Sequence, residues 1–234
     1  MIKQIILICL ILFSSLCEAR RIKSPQYLIL HRVQDKNFQE TNSYLALEID
    51  LRQYGRQLVV SHDEINPVDA ELLLQDALRN YKGTIQIDVK CDEEIGFTTV
   101  DATWLYGVLT KENAIDRVII TSWDIRFLEQ LRDLDKNLKL GYDPAFEPLP
   151  ANKAELEALC DYLIDLATDM QLYIVCLHQD LAEMIIEAGL AEEFISRMKE
   201  AGCLVDVWTV NERGKINWFL NYGFVVTTDM MGGE

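Results

Sequence analysis

Leu45-Ala46-Leu47-Glu48-Ile49-Asp50-Leu51-Arg52 alternates, with Leu47, Ile49 and Leu51 on one set of positions and Glu48, Asp50 and Arg52 on the other. Thr84-Ile85-Gln86-Ile87-Asp88-Val89-Lys90 repeats the pattern, with Ile85, Ile87 and Val89 set against Asp88 and Lys90. Side chains two apart share one face of a β-strand, so each stretch predicts a strand with an apolar face and a face that turns ionic toward its carboxyl end. That position is informative. In a closed parallel barrel the reactive groups sit where the strands leave the packed core for the loops.

Working outward from these two stretches, short runs rich in β-branched residues recur along the chain. The predicted strands are Tyr27–Val33, Leu45–Arg52, Gln57–His62, Thr84–Lys90, Arg117–Ser122, Leu138–Tyr142, Leu172–His178, Leu204–Val210 and Phe224–Asp229. Leu45–Arg52, Tyr54-Gly55 and Gln57–His62 read as a strand, a turn and a continuation, which leaves eight principal strands. Segments of helical period fall between them at about Asp69–Tyr81, Thr99–Glu112, Asp124–Leu134, Lys153–Asp169, Gln179–Ala201 and Glu212–Tyr222. Strand alternating with helix in this way predicts an α/β protein, a TIM-type (β/α)8 barrel in a single domain. An open doubly wound sheet is the structural alternative, and no glycine-rich nucleotide loop follows the first strand to support it. The Pro144–Pro150 patch falls where a loop would line the barrel mouth.

The chain has 234 residues, half of them apolar, enough for one large core. It carries 38 acidic against 22 basic residues, a net charge of −16. Such a surface does not attract nucleic acid or anionic lipid by charge, so a phosphate-containing substrate would need positive charge supplied locally. Residues 1–19 differ from the rest: Met1-Ile2-Lys3, an apolar run from Ile5 to Phe13, then Ser14-Ser15-Leu16-Cys17-Glu18-Ala19, in which Cys17 and Ala19 give small residues for cleavage before Arg20. This is the layout of a secretory signal peptide, with a run well short of the roughly 20 residues of a membrane span. The expectation is an exported protein, secreted or periplasmic, with a mature domain at 20–234 and no stable membrane insertion. Acylation at Cys17 is the weaker reading because bulky Leu16 precedes it. Cys91, Cys160, Cys176 and Cys203 are widely spaced, form no zinc pattern and fix no disulfide pairing.

The unusual polar residues gather at predicted strand ends: His31-Arg32, then Glu48, Asp50 and Arg52, then His62-Asp63, then Asp88 and Lys90. Three carboxylates pointing into one lumen repel one another unless protonated or bridged by a cation, and hard oxygen ligands favour Mg²⁺ or Ca²⁺. The competing reading is an inert network in which Arg32, Arg52 and Lys90 neutralise the acids. Two of the three histidines, His31 and His62, flank this cluster and suit a general acid and base; His178 lacks comparable neighbours and reads as peripheral.

In order along the chain, His31-Arg32, Glu48-Ile49-Asp50, His62-Asp63 and Asp88-Val89-Lys90 resemble the "HR … ExD … HD … ExK" series of glycerophosphodiester phosphodiesterases. Thr121-Ser122-Trp123-Asp124 is similar to that family's Ser-Phe segment, Val207-Trp208-Thr209-Val210-Asn211 to its "vWTVN" strand, and Thr228-Asp229 to its final "TD". The resemblance implies that Glu48, Asp50 and Asp88 ligate a divalent cation, Mg²⁺ or Ca²⁺, and that His31 and His62 form the acid/base pair. It further implies that Arg32 and Lys90 hold phosphate oxygens and that Trp208 walls the site near Asn211, with Asp63 orienting His62. The implied activity is hydrolysis of a small or lipid-derived phosphodiester to glycerol phosphate and an alcohol. A lyase forming a cyclic phosphate and a barrel that binds without turnover are the alternatives. Several positions depart from the family pattern. Val33 replaces the usual glycine, the "ENT" segment survives only as Glu40-Thr41-Asn42, Asp88 stands for the commoner glutamate, and Asp63–Thr84 is too short for the usual capping insertion.

Overall fold

The computed structural model describes residues 27–33, 45–63, 72–92, 97–144 and 148–230. Met1–Ala19, Glu40-Thr41-Asn42 and the first part of the Asp69–Tyr81 helix lie outside the described residues. In chain order the elements are β1 (Leu28–Leu30), β2 (Ala46–Tyr54), β3 (Gln57–Val60), α1 (Leu74–Asn80), β4 (Ile85–Val89), β5 (Cys91–Asp92), β6 (Phe97–Thr98), α2 (Ala102–Lys111), β7 (Val118–Ser122), α3 (Ile125–Leu134), β8 (Lys139–Tyr142), α4 (Lys153–Asp169), β9 (Ile174–His178), α5 (Gln179–Glu187), α6 (Ala191–Glu200), β10 (Leu204–Trp208), α7 (Arg213–Tyr222) and β11 (Val225–Thr228). Strands β1, β2, β4, β7, β8, β9, β10 and β11 pair in parallel, and β1 bonds to both β2 and β11, so the sheet closes. The result is the predicted (β/α)8-type barrel in one domain.

Period-two alternation decides which side chains fill the barrel. Ile29, Ala46, Ile119, Ile174, Cys176 and Val225 pack together in the lumen, while Leu47, Ile49, Leu51, Ile85, Ile87 and Val89 are buried on the outer face under the helices. Each fully buried Leu or Ile of that outer layer contributes roughly 1.5–3 kcal/mol relative to an exposed one. Buried polar residues Gln86, Asp206 and Thr227 interrupt the lumen filling. Gly141 is required on β8, because a Cβ there would lie 2.5 Å from Ile174 Cγ2 and 2.7 Å from Thr121 Cγ2.

Three local features differ from the sequence expectation. The Gln57–His62 segment does not continue β2; β3 folds back antiparallel on it through Gly55, whose φ of +59° suits glycine. The Gln179–Ala201 helix is two, since Gly189, at φ +74°, ends α5 and the chain restarts at Leu190. Strands β5 and β6 form a small antiparallel hairpin directly after β4, where Thr98 Oγ1 donates to the Lys90 carbonyl at 2.9 Å. Cys91, Cys160, Cys176 and Cys203 are buried free thiols. Among the described residues no helix is long and apolar enough to cross a membrane.

Candidate active site

Glu48 and Asp50 point inward from β2, and the β2–β4 register sets Asp88 beside Asp50. One carboxylate oxygen from each of Glu48, Asp50 and Asp88 lies within 4.8 Å of the others. Glu48 and Asp50 are almost wholly buried, at 4% and 0% exposure. Burial pushes the Glu48 carboxyl well above its ordinary value, and the charges of Asp50 and Asp88 add to the rise. A hard, all-carboxylate donor set short of positive charge fits a divalent cation of the Mg²⁺ or Ca²⁺ type.

Two basic residues enclose the acids. Lys90 Nζ lies 2.7 Å from Asp50 Oδ1 and 2.5 Å from Asp88 Oδ2. Burial works against its charge, but Asp88 and Asp50 outweigh it and hold the ammonium above its ordinary range. Thr121 Oγ1 donates to the other Asp88 oxygen at 3.3 Å. Arg32 adopts a left-handed backbone, φ +49°, a conformation costing a non-glycine residue roughly 1–2 kcal/mol. That turn aims its N–H at Glu48 Oε2, 2.7 Å away, while its guanidinium reaches two ways. Nη2 contacts His62 Nε2 at 2.6 Å and Nε stands 4.0 Å from Asp50 Oδ2.

Each histidine of the predicted pair has a carboxylate behind it. His31 Nδ1 is 2.7 Å from Asp229 Oδ1, so Nδ1–H donates and Nε2 keeps its lone pair in the neutral ring. Burial lowers the His31 pKa below 6.5 and is only partly offset by the hydrogen bond and charge of Asp229. Asn211 braces that carboxylate, with Nδ2 donating to Asp229 Oδ2 at 2.6 Å and Oδ1 accepting from the Asp229 N–H at 2.9 Å. The hydrogen bonds from His31 and Asn211 overcome burial and hold Asp229 below the usual carboxylate range. His62 rides on the β3 return rather than on a barrel strand. Its Nδ1 meets Asp63 Oδ1 at 2.7 Å, Arg52 Nε donates to its carbonyl at 3.0 Å, and Ser61 N–H bonds the Asp50 carbonyl at 3.0 Å. With Nδ1–H donating to Asp63, Nε2 accepts from Arg32.

Across the mouth, Trp208 ends β10 with Nε1–H donating to Asp143 Oδ1 at 3.0 Å and its ring edge-on to His178 at 5.3 Å. His178 caps α5, accepting from the Asp180 N–H at 3.3 Å. Burial and the charge of Asp88 raise the Asp143 carboxyl well above its ordinary value. The structure thus gathers His31, Arg32, Glu48, Asp50, His62, Asp88 and Lys90 at one end of the barrel. Asp229 and Asp143 are neighbours that the sequence reading gave no role. Asp229 had a signal in the terminal Thr228-Asp229 pair, whereas Asp143 stood only as a polar residue after a strand.

Comparison with known proteins agrees with this architecture. No curated protein gives a match. Among solved structures, a Silicibacter pomeroyi protein described as a glycerophosphoryl diester phosphodiesterase superposes with a TM-score of 0.63 at 16% identity, over 94% of this chain and 95% of its own. A glycerophosphodiester phosphodiesterase from Parabacteroides distasonis gives a TM-score of 0.63 at 14% identity, over 88% and 94%. An Oleispira antarctica phosphodiesterase, solved with the product sn-glycerol-3-phosphate, gives 0.58 at 16% identity, over 86% and 92%. At such identities these likenesses speak for the fold. The family itself is established by the sequence model for the glycerophosphoryl diester phosphodiesterase family, which matches residues 59–232, and the chain belongs to that family of phosphodiester hydrolases.

Proposed function

We propose that this protein hydrolyses glycerophosphodiesters to glycerol phosphate and an alcohol, with a divalent cation held by Glu48, Asp50 and Asp88. The observation that carries the reading is the convergence of three carboxylates within 4.8 Å between two histidines, each backed by its own aspartate. When bound there, Mg²⁺ or Ca²⁺ would polarise a phosphoryl oxygen and offset developing negative charge. His31, kept neutral by burial, is suited to take the proton of the attacking water at Nε2, while Asp229 stabilises the imidazolium that results. His62 is suited to deliver a proton to the departing alcohol from Nε2, once Arg32 has turned from that nitrogen onto the phosphate and Nε2 has taken up a proton from solvent, with Asp63 on Nδ1–H stabilising the imidazolium. Trp208, fixed by Asp143, would offer an apolar wall to the carbon skeleton of the substrate.

Phosphorus NMR of the protein incubated with glycerophosphocholine tests the reading, run with added Mg²⁺ and again with excess EDTA. Glycerol phosphate should appear in the first tube and not in the second. Accumulation of a cyclic phosphate would replace hydrolysis by the lyase route, and turnover undiminished in EDTA would remove the cation. We further propose export by way of the segment 1–19. Intact-mass measurement of exported material should place the new N-terminus near Arg20, and a diacylglycerol mass on Cys17 would refute a soluble product.

A further inference from the structure

Building on the proposed cation site, we infer that Lys90 makes cation and phosphate binding cooperative, because the two ligands divide between them one ion-pair network that the protein's own side chains close on themselves. Lys90 takes one oxygen from Asp50 and one from Asp88, at 2.7 and 2.5 Å. Those two residues belong to the same triad that would hold the cation. An ammonium at hydrogen-bond distance and a divalent ion at about 2.0–2.6 Å cannot both use those carboxylates at full strength. Arg32 is likewise turned inward, with Nη2 on His62 and Nε toward Asp50. Both cations suited to a phosphate are therefore engaged with protein groups.

Charge counting gives the direction of the coupling. Counted as ionised, the state that a bound cation requires, three carboxylates against Lys90 and Arg32 leave the cluster one unit negative, and with Glu48 protonated it is at best neutral, so a phosphodiester monoanion arriving alone gains no net attraction. A divalent ion reverses that balance to one unit positive, which favours an anionic phosphate, whether the diester monoanion or the more highly charged phosphomonoester product. The released ammonium has nowhere distant to go. The Lys90 side chain is only 24% exposed, and its backbone is pinned by Lys90 N–H to the Leu51 carbonyl at 3.0 Å and by Thr98 on its own carbonyl. It stays beside the site, free for the phosphate. Linkage then requires each ligand to tighten the other by the same factor.

Isothermal titration of the purified protein with Mg²⁺, in the absence and presence of saturating sn-glycerol-3-phosphate, measures the coupling directly. The Mg²⁺ Kd should fall about tenfold or more with the phosphate present, within the usual range of coupling between sites, and the reverse titration should give the same factor. Lys90→Met should bind Mg²⁺ alone more tightly than wild type, since the competing ammonium is gone, and should show a smaller coupling factor. Lys90→Arg, which keeps the positive charge, should show a larger coupling factor than Lys90→Met. Equal Mg²⁺ affinity with and without phosphate overturns the inference, and that measurement stands even if Lys90→Met fails to fold. So does a Lys90→Met protein that binds Mg²⁺ no better than wild type while keeping the full coupling. Absence of Mg²⁺ binding in every state would instead remove the proposed cation site, and the coupling with it.

Discussion

Replacing Asp206 by asparagine should make the protein more stable at pH 8 and flatten its stability across the neutral range. Asp206 lies on β10 inside the lumen, 1% exposed, with Thr227 Oγ1 donating to its Oδ2 at 2.8 Å. Burial dominates, and hydrogen bonds from Thr227, Val207 and Cys176 only partly offset it, so the carboxyl is pushed up to about 7 from 3.8. Raising a carboxyl in the folded state means that folding at high pH must retain a proton the unfolded chain has released. Stability is therefore greatest below the unfolded value, is lost as pH climbs from about 4 to about 7, and is level above that. At 1.36 kcal/mol per unit, the full loss is about 4 kcal/mol, of which about 2.5 kcal/mol falls between pH 5 and pH 8. Glu48, also raised, slopes the same way, and His31, lowered, slopes the other way. Both remain in the variant, so the difference between the two proteins isolates Asp206. Urea unfolding at pH 5, 6, 7 and 8 supplies the comparison. The amide oxygen of the Asp206→Asn side chain keeps an acceptor for Thr227, so the variant's curve should lack only the titration of the carboxyl. Parallel stability-versus-pH curves for the two proteins would show that Asp206 is ionised in the fold, and the reasoning would fail.

Other substitutions probe the site itself. His31→Ala and His62→Ala should each cost about 10²-fold or more in kcat, the usual scale for a lost acid or base, with a double variant far less than multiplicatively worse. His178→Ala should be much milder in steady-state assays, and an equal loss there would show the wrong pair had been chosen. Because His31 must be neutral to accept a proton and its pKa lies below 6.5, kcat/KM should decline on acidification only below that pH. Asp229→Ala, which removes contributions that raise the His31 pKa, should shift the decline to still lower pH while reducing the plateau. Gly141→Ala should cost about 1–3 kcal/mol in urea unfolding, the range for overpacking a filled core, since its Cβ would strike Ile174 and Thr121. A neutral outcome there would mean that β8 can shift without penalty.

Much of this site was legible because its chemistry is written on strands. Alternation fixes the face of Glu48, Asp50 and Asp88, and barrel closure brings strand ends together without any knowledge of loops. What escaped was pairing at long range and conformation off the strands. His31 and Asp229 are 198 residues apart, and only the β1–β11 ladder that closes the barrel makes them neighbours. Trp208 and Asp143, 65 apart, meet across β9, which pairs with β8 on one side and β10 on the other. The reversal at Gly55 and the break at Gly189 each rest on one positive-φ glycine, a residue that permits such a turn without requiring it. The β5–β6 hairpin comprises strands of two residues each, too short to carry a period. Even the inert-network alternative contained part of the answer, since Lys90 does pair with Asp50 and Asp88.

The fold-back of β3 also divides the proposed catalytic groups by how they are mounted. Carboxylates and His31 are built into or directly beside the strands that hold the barrel closed, where any displacement disturbs the core. His62 hangs instead from a hairpin at the rim, tied down by Ser61 and Arg52. The turn at Gly55–Gln57 is exposed, whereas Leu58, Val59 and Val60 of β3 are buried against the barrel. Changes confined to that turn could thus reposition the group proposed to serve the departing alcohol while the carboxylates proposed to hold the cation stay fixed on the barrel strands.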